Sequence, residues 1–346
     1  MATILYQGRE NANRSNPYPQ HSQKSFNLQN SLVRFSPFKF STLLKSKSLQ
    51  LNSLSTAKAP TQLILLILVS CLLSACSKGT EQDALVARGD YLVNSIVACG
   101  NCHTPRGDDH LPIPDMHLAG AFQVERAEFT AYSPNLTPDH ESGIGAWSDE
   151  EIIKAIREGV RPDGTIIGPP MPIRVYRDMS DNDVRAIVAY LRTVPAVRNE
   201  LPKSKYNIPL PESYGPPVET VAEIPREDTV AYGEYVANAL GHCMECHTPI
   251  VKGRHDLTRL GAGGNVFTKP HGMELTAVAA NISPHPEQGL GEWTDEEIKR
   301  AITQAISRDG RQLLPAMPFH WYANVADEDL DALIAYLRSI PQQAIE

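Results

Sequence analysis

The sequence predicts an all-α fold made of two tandem, homologous domains joined by a Pro-rich linker. Three observations predict it: several strings recur at a constant offset, both copies show apolar residues at helical spacing behind capping boxes, and no alternation typical of strands competes. The composition is that of an ordinary globular chain, since 42% of the 346 residues are hydrophobic and 21% are charged.

The internal repeat is visible in two long strings. Asn135-Leu-Thr-Pro138 and Trp147-Ser-Asp-Glu-Glu-Ile152 return 146 residues later as Asn281-Ile-Ser-Pro284 and Trp293-Thr-Asp-Glu-Glu-Ile298. Strings that recur at one offset indicate a duplicated structural unit. The chain is therefore divided into a first repeat, a linker rich in proline and a second repeat, at residues 84–196, 197–227 and 228–342.

Each repeat is predicted to contain helices at equivalent positions. Ser148 with Glu151, and Thr294 with Glu297, form capping boxes that begin short helices. Later helices are predicted at about 181–193 and 327–339 from apolar spacing.

Gly89 and Gly233 occupy the first predicted helix of each repeat. A missing side chain allows two helices to approach closely. We expect the first helix of each repeat to cross the last one here, against Tyr190 or Tyr336.

The first 75 residues are predicted to be a leader that ends in a lipoprotein-type signal peptide. The apolar run from Leu63 to Leu73 follows several lysines, and the end Leu73-Ser-Ala-Cys76 resembles a lipobox. Cys76 is therefore the predicted lipidation site, and an uncleaved anchor is the alternative. Residues 1–58 are long for such a leader, which leaves a misassigned start codon or an organellar targeting peptide open.

Charge is distributed unevenly along the chain. The leader carries eight Lys or Arg against one acid, so the formal charge of -8 leaves about -15 on the remainder. An acidic body disfavours nucleic acid as a partner and favours docking to basic protein surfaces.

Two cysteine pairs carry the chemistry. Cys99-Gly-Asn-Cys102-His103 and Cys243-Met-Glu-Cys246-His247 both read C-x-x-C-H, the sequence to which haem attaches. Thiols one helical turn apart can reach the two vinyl groups of a porphyrin, and the adjacent His then becomes the fifth iron ligand. The pairs could also form one zinc site, but two motifs at equivalent places favour two covalently bound haem c groups.

The repeat also indicates a candidate for the sixth iron ligand in each domain. Met171 and Met317 align, lie 72 and 74 residues after the first cysteine of their motifs, and are flanked by prolines that stiffen the loop. Flexible core filling is the alternative for a Met.

Trp147 and Trp293 are interpreted as helix-packing residues. Seven histidines offer rival ligands but do not pair across the repeat: His110, His117, His140, His255, His271, His285 and His320.

Both repeats resemble class I cytochrome c domains. The strings NLTPDHESGIGAWSDEEI and NISPHPEQGLGEWTDEEI are similar to those of cytochrome subunits serving membrane-bound alcohol, gluconate and aldehyde dehydrogenases. The resemblance covers nearly all of residues 84–342, although those subunits usually carry three haem domains and this sequence carries two. It implies thioether bonds to haem at Cys99, Cys102, Cys243 and Cys246. It also implies proximal iron ligands at His103 and His247, and distal iron ligands at Met171 and Met317.

The expected function is therefore electron transfer without a catalytic residue. The sequence predicts a dihaem cytochrome c in the bacterial periplasm, tethered to a membrane through Cys76. It would take electrons from a dehydrogenase and pass them toward the respiratory chain through an oxidase or cytochrome acceptor. The alternatives are a dihaem redox enzyme of the peroxidase or thiosulfate-oxidising type with one open haem, and a haem-storage or scaffold protein.

Overall fold

The computed structural model describes residues 81–269 and 273–345. The predicted leader over residues 1–75, its apolar run and Cys76 lie outside the described residues. Within the described part, no helix is both long enough and apolar enough to cross a membrane.

The first repeat begins with helix α1, described over residues 81–94, which runs toward the first C-x-x-C-H motif. The elements that follow are α2 (Cys99–His103), β1 (Ala121–Glu125), β2 (Phe129–Ser133), α3 (Asp149–Glu158), α4 (Ile173–Tyr176) and α5 (Asp181–Leu191). The linker adds the short strand β3 (Lys205–Tyr206), which pairs with β2.

The second repeat follows the same helix order. Its elements are α6 (Thr229–Tyr235), which continues into a π-helical turn (Val236–Leu240), then α7 (Cys243–His247), β4 (Ile250–Val251), β5 (Arg254–His255), β6 (Val266–Thr268), β7 (Thr276–Val278), α8 (Asp295–Gln304), α9 (Phe319–Tyr322) and α10 (Asp327–Ser339). The strands form two small antiparallel pairs, β4 with β5 and β6 with β7.

The all-α prediction is wrong, because the described residues form three small antiparallel sheets beside the helices and the fold is mixed α/β. These strands cannot be recognised in the sequence for two reasons. Most of them have only two or three residues, which is too short for an alternating pattern. In the five-residue strand β1, the register with β2 shifts between Phe122 and Val124, and such an irregularity breaks the period of two.

The predicted capping boxes are confirmed. The Ser148 hydroxyl accepts the backbone N–H of Glu151, and the Glu151 carboxylate accepts the N–H of Ser148, at the start of α3. Thr294 and Glu297 repeat this exchange at the start of α8. Both pairs satisfy N–H groups that the first turn of a helix leaves without partners.

The predicted close helix crossings are also confirmed. A Cβ on Gly89 of α1 would lie 1.9 Å from the carbonyl oxygen of Ala186 in α5, and a Cβ on Gly233 of α6 would lie 1.9 Å from that of Ala332 in α10. The Cβ atom of Tyr190 lies 2.8 Å from the place that a Cβ on Gly89 would occupy, as the sequence predicts. Only glycine therefore permits either crossing.

The two repeats pack against each other through an exchanged pair of tyrosines. Tyr91 of α1 donates to Asp329 of α10 at 2.7 Å, and Tyr235 of α6 donates to Asp183 of α5 at 2.7 Å. Each tyrosine thus reaches a buried carboxylate of the other repeat. The hydrophobic core is continuous across this contact, with Leu92 and Leu240 among its fully buried side chains.

Candidate functional site

The two C-x-x-C-H motifs form matching five-residue helices. Ala98 precedes α2 and His242 precedes α7, both in the left-handed region at φ 51° and 41°. A hydrogen bond across five residues closes the turn before each of them, Val97 N–H to Leu92 at 3.1 Å and Gly241 N–H to Val236 at 2.8 Å. The same sharp turn therefore presents both motifs, and it places each cysteine pair on one helical turn.

The histidine of each motif is buried and held by one ring nitrogen. His103 Nδ1 lies 2.8 Å from the carbonyl oxygen of Pro134, and His247 Nδ1 lies 2.7 Å from that of Ala280. A carbonyl can only accept, so Nδ1 carries the proton and Nε2 keeps its lone pair for a metal. Burial lowers the pKa of His103 to about 4 and also lowers that of His247, which keeps both rings neutral.

The repeated Asn-x-Thr/Ser-Pro strings explain how those carbonyls are fixed. Asn135 follows Pro134, and its side-chain oxygen accepts from the N–H and the hydroxyl of Thr137 at 2.9 and 2.7 Å. Asn281 follows Ala280 and makes the same two bonds with Ser283. The strings thus lock the chain segments that orient the two histidines.

The four thiols of the motifs are free. Cys99, Cys102 and Cys243 are partly exposed, and Cys246 is exposed. Desolvation raises the pKa of Cys99 and of Cys243 to about 12, so both stay protonated at neutral pH. Among residues 81–269 and 273–345, no group of three or more His, Cys, Asp or Glu side chains could hold a metal ion, so the four sulfurs do not form the set that the zinc alternative needs.

Met171 and Met317 are both half-buried and pack against the shared core. Each precedes a short helix, whose first residue donates its N–H to the Met carbonyl at 2.9 Å. Burial raises the pKa of Tyr176 in α4, and the thiols of Cys99 and Cys102 raise it further.

The linker covers the Met171 loop. The Tyr206 hydroxyl donates to the carbonyl of Pro169 at 3.0 Å, and a Cβ on Gly168 would lie 2.5 Å from the Tyr206 ring. In the second repeat the position equivalent to Gly168 is Leu314, which is 50% exposed. The two Met loops are therefore supported differently.

The rival histidines are placed less favourably than the two in the motifs. Within the described residues, only His103 and His247 are buried among the histidines. His255 Nε2 is bonded to the Glu245 carbonyl at 2.9 Å, and His271 lies outside the described residues.

Sequence reasoning missed two side chains at the contact between the motifs, Trp321 and His242. Trp321 of α9 lies against Gly100, and His242 lies against the ring of Tyr176. The repeat search selects residues that recur, whereas Trp321 and His242 have no counterpart in the first repeat. The signal that could have found them is this break in the repeat beside a cysteine motif.

The residues present fit haem c. Each motif offers two thiols on one turn and a neutral imidazole whose Nδ1 is already bonded, and both copies show this set. A half-buried Met lies on a stiff loop in each repeat. The assignment of each cysteine, histidine and methionine to its role stays a prediction.

Comparison with known families gives the same reading. A family profile described as Cytochrome c matches residues 86–195 and 230–341. The chain belongs to the cytochrome c family. Domains of this cytochrome c family imply covalently bound haem c and electron transfer.

Similar proteins are named as cytochrome subunits. The chain is 30% identical over 279 residues to the cytochrome c subunit of the quinone alcohol dehydrogenase of Gluconobacter oxydans, covering 75% of this cytochrome and 55% of that protein. It is 28% identical to the gluconate 2-dehydrogenase cytochrome c subunit of Pantoea cypripedii, over 80% of this chain and 64% of that one. It is 26% identical to a dihaem cytochrome c-type protein of Cereibacter sphaeroides, over 70% of this chain and 82% of that protein. The chain thus spans little more than half the length of the first of these relatives.

Proposed function

We propose that this cytochrome carries two covalent haem c groups and transfers electrons from a periplasmic dehydrogenase toward the respiratory chain. Its acceptor is an oxidase or another cytochrome, and lipidated Cys76 tethers it to a membrane. Haem c supplies an iron that exchanges one electron at a time.

The observation that carries the proposal is the duplicated histidine geometry. Pro134 and Ala280 hold Nδ1 of His103 and His247 in the same way, 2.8 and 2.7 Å away. A zinc ligand or a buried core histidine at one site would not require this arrangement twice. Two proximal ligands support two haems, and the dihaem relative supports the same count.

The residues around each site favour a carrier over an enzyme. Met171 and Met317 are available to close the sixth iron position, and a thioether ligand raises the reduction potential while it blocks substrate. The relatives named as dehydrogenase subunits support a dehydrogenase as the electron donor. The acidic body favours a partner with a basic docking surface.

Haem stoichiometry and carbon monoxide binding test the proposal together. The purified, denatured protein should retain two haems per chain through acid extraction, and the folded ferrous protein should bind carbon monoxide only slowly. Met171→Ala or Met317→Ala should each open one haem and abolish one Met-to-iron charge-transfer signal. Fast carbon monoxide binding and peroxide or thiosulfate turnover by the unmodified protein would instead favour the dihaem enzyme.

Cys76→Ser tests the anchor. The variant should move from the membrane fraction to the soluble fraction, because a lipid on Cys76 would be its attachment. The matched control is Cys71→Ser, which changes a cysteine of the same apolar segment and should stay in the membrane fraction. Membrane association of both variants would indicate that residues 63–73 act as an uncleaved anchor.

A further inference from the structure

Trp321 of the second repeat lies against the attachment helix of the first. Its side chain is buried, and a Cβ on Gly100 would lie 2.6 Å from the indole Nε1 and 3.0 Å from Cε2 and Cζ2. Gly100 is the residue between Cys99 and Cys102 that has no side chain. The indole therefore covers α2 at the turn that joins the two cysteines.

The same tryptophan follows directly from the second repeat's own Met loop. α9 begins two residues after Met317, and Trp321 donates its backbone N–H to Pro318 at 3.0 Å. One turn of helix thus separates Met317, the predicted distal ligand of the second haem, from Trp321, whose ring contacts the attachment motif of the first haem.

Two buried tyrosines complete this contact. The Tyr322 hydroxyl donates to the carbonyl of Gly241 at 3.1 Å, just before α7. The Tyr176 ring lies edge-on to the His242 ring, with centroids 5.9 Å apart, and so bridges from the first repeat to the second. Aromatic rings of both repeats therefore contact the residues that lead into α7.

Neighbouring residues of α9 contact both attachment motifs. Trp321 lies over Gly100 of α2, and Tyr322 donates to Gly241 just before α7. The attachment helices of the two repeats thus face the same interface.

The contact is asymmetric. The position equivalent to Trp321 is Val175, and the position equivalent to Gly100 is Met244. Duplication alone would place the same pair of residues on both sides of the interface. A large ring over a glycine in one direction only is a feature that the second repeat acquired or the first one lost.

We propose that Trp321, which lies over Gly100 of the first attachment helix, forms the internal electron path between the two haem sites. The path moves one electron from one iron to the other, with no bond made or broken and no proton taken up. Continuous packed atoms favour such a transfer, because a void between the sites has no atoms to mediate it. The inference rests on the proposed function, since it needs a haem at each motif.

Trp321→Ala in the full, haem-loaded chain tests this path. One electron is injected by pulse radiolysis, and the redistribution between the two haems is followed by absorbance. We expect the fast intramolecular phase to be lost, while reduction by the radiolytic donor, both reduction potentials and the Soret circular dichroism are unchanged. Trp293→Ala, which removes a half-buried indole elsewhere in the same repeat, should leave the intramolecular phase intact.

The outcomes separate the two proposals. If Trp321→Ala does not accumulate with both haems, Trp321→Phe and Trp321→Leu replace it, and Phe should retain more of the rate because it keeps a ring over Gly100. An unchanged intramolecular rate with intact Soret circular dichroism would overturn the path and leave the proposed function standing. A parent protein without a second covalent haem would overturn both.

Discussion

Replacing Tyr235 with Phe tests the contact between the repeats at a single oxygen atom. This oxygen donates to Asp183 Oδ2 at 2.7 Å and accepts the backbone N–H of Ser180 at 3.0 Å. Asp183 is 4% exposed and also receives two hydrogen bonds from Arg88, at 2.8 and 3.0 Å. The substitution therefore removes one of three hydrogen bonds to a buried carboxylate and the acceptor of a buried N–H.

The expected loss follows from these two contacts. A hydrogen bond to a charged group contributes ~1.5–3 kcal/mol, and a buried donor left without a partner costs ~1–3 kcal/mol. Arg88 continues to hold the carboxylate, so we expect Tyr235→Phe to lose about 3 kcal/mol in the free energy of unfolding. With ~2.1 cal/mol/K of unfolding entropy per residue over about 260 described residues, that corresponds to a fall of ~5–6 °C in Tm.

Urea unfolding with matched variants provides the assay. Tyr91→Phe should lose the same amount, because Tyr91 donates to Asp329 and accepts the N–H of Ala326 in the same way. Tyr214→Phe should lose only ~1 kcal/mol, because its hydroxyl donates to the neutral carbonyl of Ile167. The reasoning is refuted if Tyr235→Phe loses no more than Tyr214→Phe.

Two further changes test the helix crossings and the buried phenols. Gly233→Ala places a methyl group 1.9 Å from the carbonyl of Ala332, so α6 and α10 must separate, and calorimetry should show a loss of ~3 kcal/mol; an unchanged Tm would contradict the crossing. Burial and the neighbouring Asp329 raise the pKa of Tyr232 to about 12, above its unfolded value of ~10. The folded state therefore favours the neutral phenol, and this stabilisation is complete below pH ~10 and lost as pH rises toward 12. Urea unfolding at pH 9 and 11 should show the decline, and Tyr232→Phe should make it smaller without abolishing it, because burial also raises the pKa of tyrosines such as Tyr190 and Tyr336; equal slopes for both proteins would exclude this cause.

Local signals in the sequence were enough to predict the capped helix and the last helix of each repeat, but not the short helices α4 and α9 after the Met loops. Capping boxes and apolar spacing operate within one or two turns, and both α3 and α8 begin where those signals place them. The strands were missed because their pairing depends on neighbours rather than on a repeated pattern, and β1 carries a register shift as well. The predicted fold class was therefore wrong, although the capped helix and the last helix of each repeat lie where the sequence placed them.

The same division applies to the site. The C-x-x-C-H motifs are contiguous, so the sequence alone indicated both candidate haem sites. The bond from Tyr91 to Asp329 joins residues 238 positions apart, and neither side chain is distinctive by itself. An interface of this kind arises only when two folded units meet, which no local pattern records.

The differences between the repeats are concentrated where each repeat meets another part of the chain. The bonds that orient the two histidines are almost identical, at 2.8 and 2.7 Å. In contrast, Gly168 lies under Tyr206 of the linker while its equivalent Leu314 is exposed, and Gly100 lies under an indole while its equivalent is Met244. Selection for a similar haem environment explains the first observation. Distinct neighbours explain the second, because at Gly168 and at Gly100 a ring of another segment lies where a side chain would be.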